Sequence, residues 1–259
     1  MILGILQARA SSRRLPGKVL KPILGRPMLE RQIERLRRAR RMDKLVVATS
    51  TDASDDAIAA LCGSLPVDCF RGSLDDVLDR FYQAALRSAA DTVVRLTGDC
   101  PLADPGVIDA VIDKHVAGSF DYTSNIVERS YPDGLDAEVM ELRCLEAAWR
   151  EAALPSEREH VTPFIYHHPE RFRLGHLVQS PDLSRLRWVV DEPEDFGFIS
   201  AIYEALYPEK PAFGTADVLA LLARRPDIAA LMGHAATNEG YQRSLAADAA
   251  ALAARKGTN

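Results

Sequence analysis

Short apolar runs alternate with segments of helical periodicity over the first 120 residues. Four runs have the continuous apolar character of strands that are buried on both faces of a parallel sheet: 2–6, 45–48, 67–70 and 92–96. Apolar spacing and helix-start residues predict four helices: 28–41, 54–62, 73–87 and one that begins at Pro105. Strands that alternate with helices in this way predict an α/β fold with a mostly parallel sheet flanked by helices.

The second half of the chain is less regular. We expect strands in four segments: 122–125, 138–142, 172–178 and 186–190. We expect helices over 145–153 and after Asp191 as far as Leu206. Two alternatives stay open in between, because Ser156 with Glu159 fits a capping box, whereas Thr162 could cap a helix that begins at Pro163.

The tail from Thr215 is alanine-rich and is predicted to be helical, with interruptions at Pro226 and over 233–240. We expect its Leu and Ala stripes to pack in the core or in a homodimer contact. The predicted organisation is an α/β domain over 1–214 and a helical tail over 215–259. The irregular subregion lies within the domain, at about 120–180.

Composition and charge exclude several classes of protein. The net charge of −5 argues against a general nucleic-acid binder. The four cysteines have neither zinc-ligand spacing nor a C-x-x-C pair, so we expect reduced thiols in a cytoplasmic protein. The first apolar run is too short for a signal peptide, and no run approaches the roughly 20 residues of a membrane span. We therefore expect no membrane partner.

A basic loop, residues 7–21, follows the first predicted strand. It carries five positive charges within thirteen residues, interspersed with small residues: Arg9, Arg13, Arg14, Lys18 and Lys21. A loop at the carboxyl end of a parallel strand lies where open α/β sheets bind ligands, and such a composition suits a polyphosphate. The alternative is a solvated basic loop, but Pro16-Gly17 indicates a defined turn. The glycine patterns of dinucleotide-binding folds and P-loops are both missing from the sequence.

Two aspartates stand just after predicted strands, Asp99 after 92–96 and Asp191 after 186–190. Carboxylates at the carboxyl ends of two parallel strands would converge on the same edge as the basic loop. Since Mg²⁺ is typically held by one or two carboxylates and substrate phosphates, the pair predicts a magnesium site. Taken singly, Asp99 could instead be a turn residue and Asp191 a helix cap.

Three motifs resemble those of the cytidylyltransferases that make CMP-activated acidic sugars. They are Gln-Ala-Arg-x-x-Ser-x-Arg-Leu-Pro-Gly-Lys over 7–18, Gly-Asp-x-Pro over 98–101 and Val-Asp-x-Pro-Glu-Asp over 190–195. The resemblance is to the branch of spore coat polysaccharide biosynthesis protein F, related to the CMP-KDO and CMP-sialate synthetases. It implies a Rossmann-like nucleotidyltransferase sheet of the GT-A-like type, with Mg²⁺ as cofactor and Asp99 and Asp191 as its ligands.

The resemblance also implies roles for further residues. Those expected to stabilise the reacting phosphates are Arg9, Arg14 and Lys18. Those expected to bind the nucleotide are Gln7, Ala8, Ser12, Arg71, Gly72, Ser73 and Gly98. Those expected on the acceptor side, within 120–180, are Asp136, Glu138, Arg158 and His160. For Arg158 a salt bridge with Glu157 or Glu159 is the alternative. The branch usually has glycine in place of Ser11 and a small residue in place of Arg13, which affects the expected loop geometry.

The resemblance implies transfer of CMP from CTP to a small anionic acceptor, with release of pyrophosphate, for polysaccharide or glycoconjugate biosynthesis. A nucleotide-sugar-dependent glycosyltransferase is the alternative, because such enzymes can share this type of sheet. They commonly use an Asp-x-Asp motif, which does not occur in the sequence. A non-catalytic nucleotide sensor would tolerate loss of a metal aspartate, and both aspartates are present.

Overall fold

The computed structural model describes residues 1–233 and 239–256, and a seven-stranded sheet lies at its centre. The strands of this sheet are β1 (Ile2–Gln7), β4 (Lys44–Ser50), β5 (Asp68–Gly72), β6 (Thr92–Thr97), β7 (Tyr122–Ser124), β8 (Glu138–Glu141) and β9 (Leu174–His176). Two short strands, β2 (Pro22–Ile23) and β3 (Arg26–Pro27), form a separate antiparallel pair.

The sheet has the order β5-β4-β1-β6-β8-β7-β9. Strands β5, β4, β1 and β6 are parallel, with Ile5 opposite both Val46 and Arg95. Strand β8 runs antiparallel to its neighbours β6 and β7, and β9 is parallel to β7. The mostly parallel α/β sheet predicted from the sequence is confirmed. Because β1, β4, β5 and β6 share one direction, the loops after them meet at one edge of the sheet.

Helices cover both faces of the sheet and continue into the tail. The helices are α1 (Met28–Leu36), α2 (Asp56–Ser64), α3 (Val77–Arg87), α4 (Pro105–Gly118), α5 (Leu142–Glu151), α6 (Pro155–His160), α7 (Pro163–Tyr166), α8 (Pro193–Leu206), α9 (Thr215–Arg224), α10 (Pro226–Ala229) and α11 (Glu239–Lys256). No helix in the described part of the chain is both long and apolar enough to cross a membrane.

Alternate side chains of β1 enter two separate hydrophobic clusters. Leu6 belongs to a cluster formed with α1, α4 and α8, whereas Leu3 and Ile5 belong to one formed with α3 and α5. All three residues are fully buried. A strand with apolar contacts on both faces reads as a continuous apolar run, which is why β1 could be predicted from the sequence.

Several predicted elements differ from the structure, most of all segment 186–190 in type and α1, α3 (predicted from 73) and β9 (predicted over 172–178) in length. The segment 186–190 is not a strand of the sheet: its backbone bonds to loops, with the Trp188 N–H donating to the Asp133 carbonyl (2.6 Å) and the Val190 N–H to the Asp99 carbonyl (2.8 Å). It is apolar because Trp188 and Val190 are fully buried, and burial alone does not distinguish a strand from an extended loop. Helix α1 ends at Leu36 instead of at residue 41.

Both helices proposed around residue 160 exist, but neither has the cap that the sequence suggested. The Glu157 carboxylate accepts from the backbone N–H groups of Ala153 and Leu154 at the start of α6 (both 3.0 Å). The Ser156 hydroxyl bonds instead to Asp248 of α11, and the Thr162 hydroxyl to Glu138. The predicted interruption at Pro226 is confirmed, since α10 begins there, whereas 234–238 of the second interruption lies outside the described residues.

Candidate functional site

A cavity of about 1030 Å³ opens where the basic loop meets the loops after β6 and segment 186–190. We refer to it as the cleft. Its walls are the basic loop, the start of α3, residues 98–100, α6 and the N-terminal half of α11. The cleft therefore lies at the carboxyl edge of the parallel strands, where the sequence placed the ligand site.

The basic loop is a defined turn. The Gly17 N–H donates to the Ala10 carbonyl (2.9 Å), and the Ala10 N–H donates to the buried Asp55 carboxylate (2.7 Å). Gly17 has a φ of +69°, a left-handed conformation that favours glycine. Gly98, in the loop after β6, lies close to the start of the basic loop. A Cβ at Gly98 would be only 2.8 Å from the Gln7 carbonyl oxygen, so glycine is needed for the two loops to approach this closely.

Lys18 lies between the two predicted metal ligands. Its Nζ is 3.3 Å from Asp99 Oδ2 and 3.0 Å from Asp191 Oδ1, and it donates to the Val190 carbonyl (2.7 Å). Burial alone would lower the pKa of Lys18, but the carboxylates of Asp99 and Asp191 raise it above its usual value. Burial would likewise raise the pKa of Asp99, and the Lys18 ammonium and Thr97 lower it instead. Lys18 and Asp99 are thus both charged at neutral pH.

Asp195 fixes the backbone of Asp191 and was missed from the sequence. Its buried carboxylate accepts from the N–H groups of Asp191 and Glu192 (both 2.9 Å) and from the Arg187 guanidinium. The cap of α8 is therefore supplied by Asp195, and the Asp191 carboxylate pairs with Arg14 (2.8 Å) and Lys18. The helix-cap alternative for Asp191 is wrong. The sequence signal for this cap was the carboxylate of Asp195, three residues after the N-cap residue Glu192.

The acidic pair fits a divalent cation that takes its other ligands from substrate. Oxygens of Asp99 and Asp191 converge on one ammonium group, so they already surround a positive charge. Among residues 1–233 and 239–256 there is no cluster of three or more His, Cys, Asp or Glu residues suited to a metal. Two carboxylates with phosphate oxygens and water suit Mg²⁺. The assignment of Asp99 and Asp191 as its ligands stays a prediction.

The predicted base-binding residues do not face the cleft. Arg71 donates to the carbonyls of Ser50 (2.8 Å) and Asp52 (3.0 Å) and pairs with Asp56, so it joins β5 to the loop after β4. Arg71, Gly72 and Ser73 are not among the residues that line the cleft. Their assignment as nucleotide contacts is therefore not supported by the geometry.

Arg80 of α3 lines this part of the cleft instead. It is buried, and its Nη1 donates to the Ser73 carbonyl. Burial, together with Arg9, lowers the pKa of Arg80 to about 10. An arginine among the apolar positions Val77 and Phe81 of one helix face was the sequence signal for a buried charge.

Three of the four predicted acceptor residues are held by carboxylate–arginine pairs inside the protein. Arg158 donates through Nε and Nη2 to Asp76 and through Nη1 to the Trp149 carbonyl (2.7 Å), so its partner is neither Glu157 nor Glu159. Asp136 is held by two bonds from Arg129 (2.8 and 3.0 Å). Glu138 is buried away from the cleft lining and bonds to Arg95, Tyr122 and Thr162. The guanidinium of Arg158 is thus committed to linking α3 and α6.

His160 lines the cleft as a neutral side chain. Its Nε2 is 3.0 Å from the Ser244 hydroxyl, and its ring meets Tyr241 edge-on at 5.2 Å. Burial, and secondarily the nearby Arg95, lowers the pKa of His160 to about 4. A neutral imidazole can position an acceptor by hydrogen bonding but contributes no positive charge at pH 7.

This lowered pKa makes stability depend on pH. Between about pH 6.5 and pH 4 the unfolded state binds a proton at His160 that the folded state does not, so acidification through this range lowers the free energy of unfolding. We expect the free energy of unfolding to fall between pH 7 and pH 4.5 by less in His160→Gln than in the unaltered protein, with a difference on the order of 1–2 kcal/mol. Urea unfolding of both proteins at the two pH values measures it. Equal losses would contradict a neutral His160.

The C-terminal helix also lines the cleft. Residues of α11 that face the cavity are Gly240, Tyr241, Arg243, Ser244 and Ala247. The division of the chain at residue 214 stays a prediction, but the structure adds that this part of the tail lies against α6. No motif in the alanine-rich tail indicates such a position.

The comparisons with known proteins agree with this geometry. A sequence model described as cytidylyltransferase matches residues 3–205. The chain is similar to spore coat polysaccharide biosynthesis protein SpsF of Bacillus subtilis, with 36% identity over 236 residues, 88% of this chain and 96% of that protein. It is similar to a 3-deoxy-manno-octulosonate cytidylyltransferase of Geobacter metallireducens over 116 residues, 45% of each protein, at 35% identity.

A solved structure shares the fold over nearly the whole chain. The cytidylyltransferase from Leptospira borgpetersenii serovar Hardjo-bovis superposes with a TM-score of 0.85 and 29% identity, covering 92% of this chain and 99% of that one. The resemblance drawn from the three motifs and the predicted Rossmann-like nucleotidyltransferase fold are both confirmed.

Proposed function

The chain belongs to the cytidylyltransferase family, and we propose that it transfers CMP from CTP to a small acidic acceptor for surface polysaccharide or glycoconjugate biosynthesis. An acceptor oxygen attacks the α-phosphorus, the bond from that phosphorus to the bridging oxygen breaks, and pyrophosphate leaves with the bonding electrons. The acceptor proton is released to solvent. Little covalent chemistry is required of the protein in such a transfer, so positioning and charge stabilisation dominate.

The observation that carries the proposal is the position of Lys18 at the junction of the basic loop, Asp99 and Asp191. In this arrangement Lys18 and Arg14 would contact phosphate oxygens and offset the negative charge that develops on the leaving pyrophosphate. Arg9, also on the cleft wall, would add to that charge stabilisation. Mg²⁺ held by Asp99 and Asp191 would neutralise phosphate charge when bound.

The names of the relatives support an acidic sugar as the acceptor. SpsF is named for polysaccharide biosynthesis, and the Geobacter protein for transfer to 3-deoxy-manno-octulosonate. Family membership also favours this activity over the glycosyltransferase alternative. The acceptor assay uses CTP, Mg²⁺ and one of three probes: 3-deoxy-manno-octulosonate, N-acetylneuraminate or glycerol 3-phosphate. Pyrophosphate release above the level without acceptor supports the proposal, and none with any probe would contradict it.

The choice of nucleotide is a separate prediction. A ligand that binds only the folded state raises stability by RT ln(1 + [L]/Kd), about 2.7 kcal/mol at a hundredfold excess over Kd. For a chain of this size we expect CTP with Mg²⁺ to raise the melting midpoint by roughly 5–10 °C. UTP, ATP and GTP at equal concentrations should shift it less. A larger shift with any of these three would contradict CTP as the substrate.

A further inference from the structure

The C-terminal helix α11 is fixed to α6 by buried polar contacts. Asp248 accepts from both the backbone N–H (2.8 Å) and the hydroxyl (2.6 Å) of Ser156, and both residues are buried. One turn earlier, the buried Ser244 hydroxyl donates to Glu159 (2.7 Å). Such directional bonds between buried groups specify how α11 is positioned along α6. Apolar packing of an alanine-rich surface alone would not fix this position.

These contacts also define the state of the adjacent imidazole. Because the Ser244 hydroxyl has one proton and donates it to Glu159, it accepts from His160, whose Nε2 therefore carries the hydrogen. Glu159 in turn lies 3.8 Å from Arg9 of the basic loop. The helix thus completes a wall of the cleft whose groups are a neutral His160, a carboxylate and the exposed side chain of Arg243.

The other cations on this side of the cleft are engaged within the protein. Arg95 pairs with Glu138, Arg129 with Asp136 and Arg158 with Asp76. Arg243 is exposed, and within residues 1–233 and 239–256 its guanidinium forms no hydrogen bond or ion pair. An anionic ligand that occupied this wall would therefore meet the uncommitted guanidinium of Arg243.

We propose that Arg243 binds the anionic group of the acceptor, so that the C-terminal helix takes part in acceptor selection. A guanidinium recognises a carboxylate or phosphate through two parallel hydrogen bonds. The helix lies beyond residue 205, where the match to the family model ends, so this contact would come from outside the matched segment. The inference rests on the proposed function, because it needs an anionic acceptor.

The test is steady-state kinetics of the full chain with Arg243→Gln and Arg243→Lys. The acceptor is whichever of the three probes supports pyrophosphate release by the unaltered protein. We expect Arg243→Gln to raise the acceptor KM about 10- to 100-fold, the range for loss of hydrogen bonds to a charged group, and to leave the CTP KM within twofold. Arg243→Lys should raise the acceptor KM less than Arg243→Gln does, but should not restore the value of the unaltered protein. The matched control is Arg87→Gln, an exposed arginine of α3 outside the cleft, which should change neither constant.

The outcomes separate this inference from the proposed function. If the unaltered protein turns over a probe and Arg243→Gln leaves the acceptor KM within twofold, the role of Arg243 is wrong and the proposed function stands. An equal rise in both KM values would likewise overturn it, because a general loss of helix position would act on both substrates. If no probe supports turnover, the proposed function and this inference both fail.

Discussion

Replacing Lys18 by methionine is expected to lower kcat/KM for CTP by 10²-fold or more. The ammonium lies at the junction of Asp99, Asp191 and the basic loop, within ion-pair distance of both carboxylates. Removal of one preorganised charge from a phosphoryl-transfer site costs about this much. The matched control is Lys21→Met in the same loop, because Lys21 does not line the cleft and lies over the Phe196 ring.

Lys18→Met should also reduce stability at neutral pH, because Lys18 is 8% exposed and offsets the charge of two carboxylates. We expect a loss of about 1–3 kcal/mol in the free energy of unfolding. The pKa of Asp99 is lowered by Lys18, so its contribution is present at neutral pH and is lost as the pH falls through that lowered value. The difference in the free energy of unfolding between Lys18→Met and the unaltered protein should therefore become smaller on acidification. Unchanged kinetics and stability would remove Lys18 from the site.

Replacing either acidic residue by asparagine is expected to lower kcat by roughly 10²- to 10³-fold or more. Asparagine keeps the size of Asp99 or Asp191 and an oxygen that can accept from Lys18, but it loses the negative charge that a divalent cation requires. The fold should persist, since the cap of α8 comes from Asp195. The matched control is Glu194→Gln, an exposed carboxylate of α8 outside the cleft lining.

Two measurements check this prediction. Pyrophosphate release is followed at increasing Mg²⁺, and the melting midpoint reports whether each variant is folded. We expect Asp99→Asn and Asp191→Asn to retain midpoints near that of the unaltered protein and to keep the lowered kcat at every Mg²⁺ concentration. Near-normal turnover in either variant would show that its carboxylate is not a metal ligand.

Local patterns were sufficient to predict the first half of the fold. Strand β1 has apolar contacts on both faces, and the basic loop after it contains the Pro16-Gly17 turn, so sequence neighbours alone define both. The proximity of Asp99 and Asp191 was predicted correctly by a partly wrong argument. Asp191 follows an extended loop instead of a strand, and it reaches the site because the Val190 N–H bonds to the Asp99 carbonyl.

Contacts between residues far apart in the chain could not be predicted. The alternative to acceptor binding by Arg158 was a salt bridge with an adjacent glutamate, whereas the structure pairs Arg158 with Asp76, 82 residues away. The same limit applies to Asp248, whose bond to Ser156 brings the tail to the cleft. Neither pairing produces a periodic pattern or a fixed residue spacing in the sequence, because each depends on how the sheet and helices pack together.

Transfer of label from CTP tests the central claim most directly. The protein is incubated with Mg²⁺, the acceptor probes and CTP that carries radioactive phosphorus at either the α or the γ position. The proposed reaction places the α label in the acceptor product and the γ label in pyrophosphate. A γ label in the acceptor, an α label in free CMP alone, or no redistribution of either label would contradict transfer of CMP at this site.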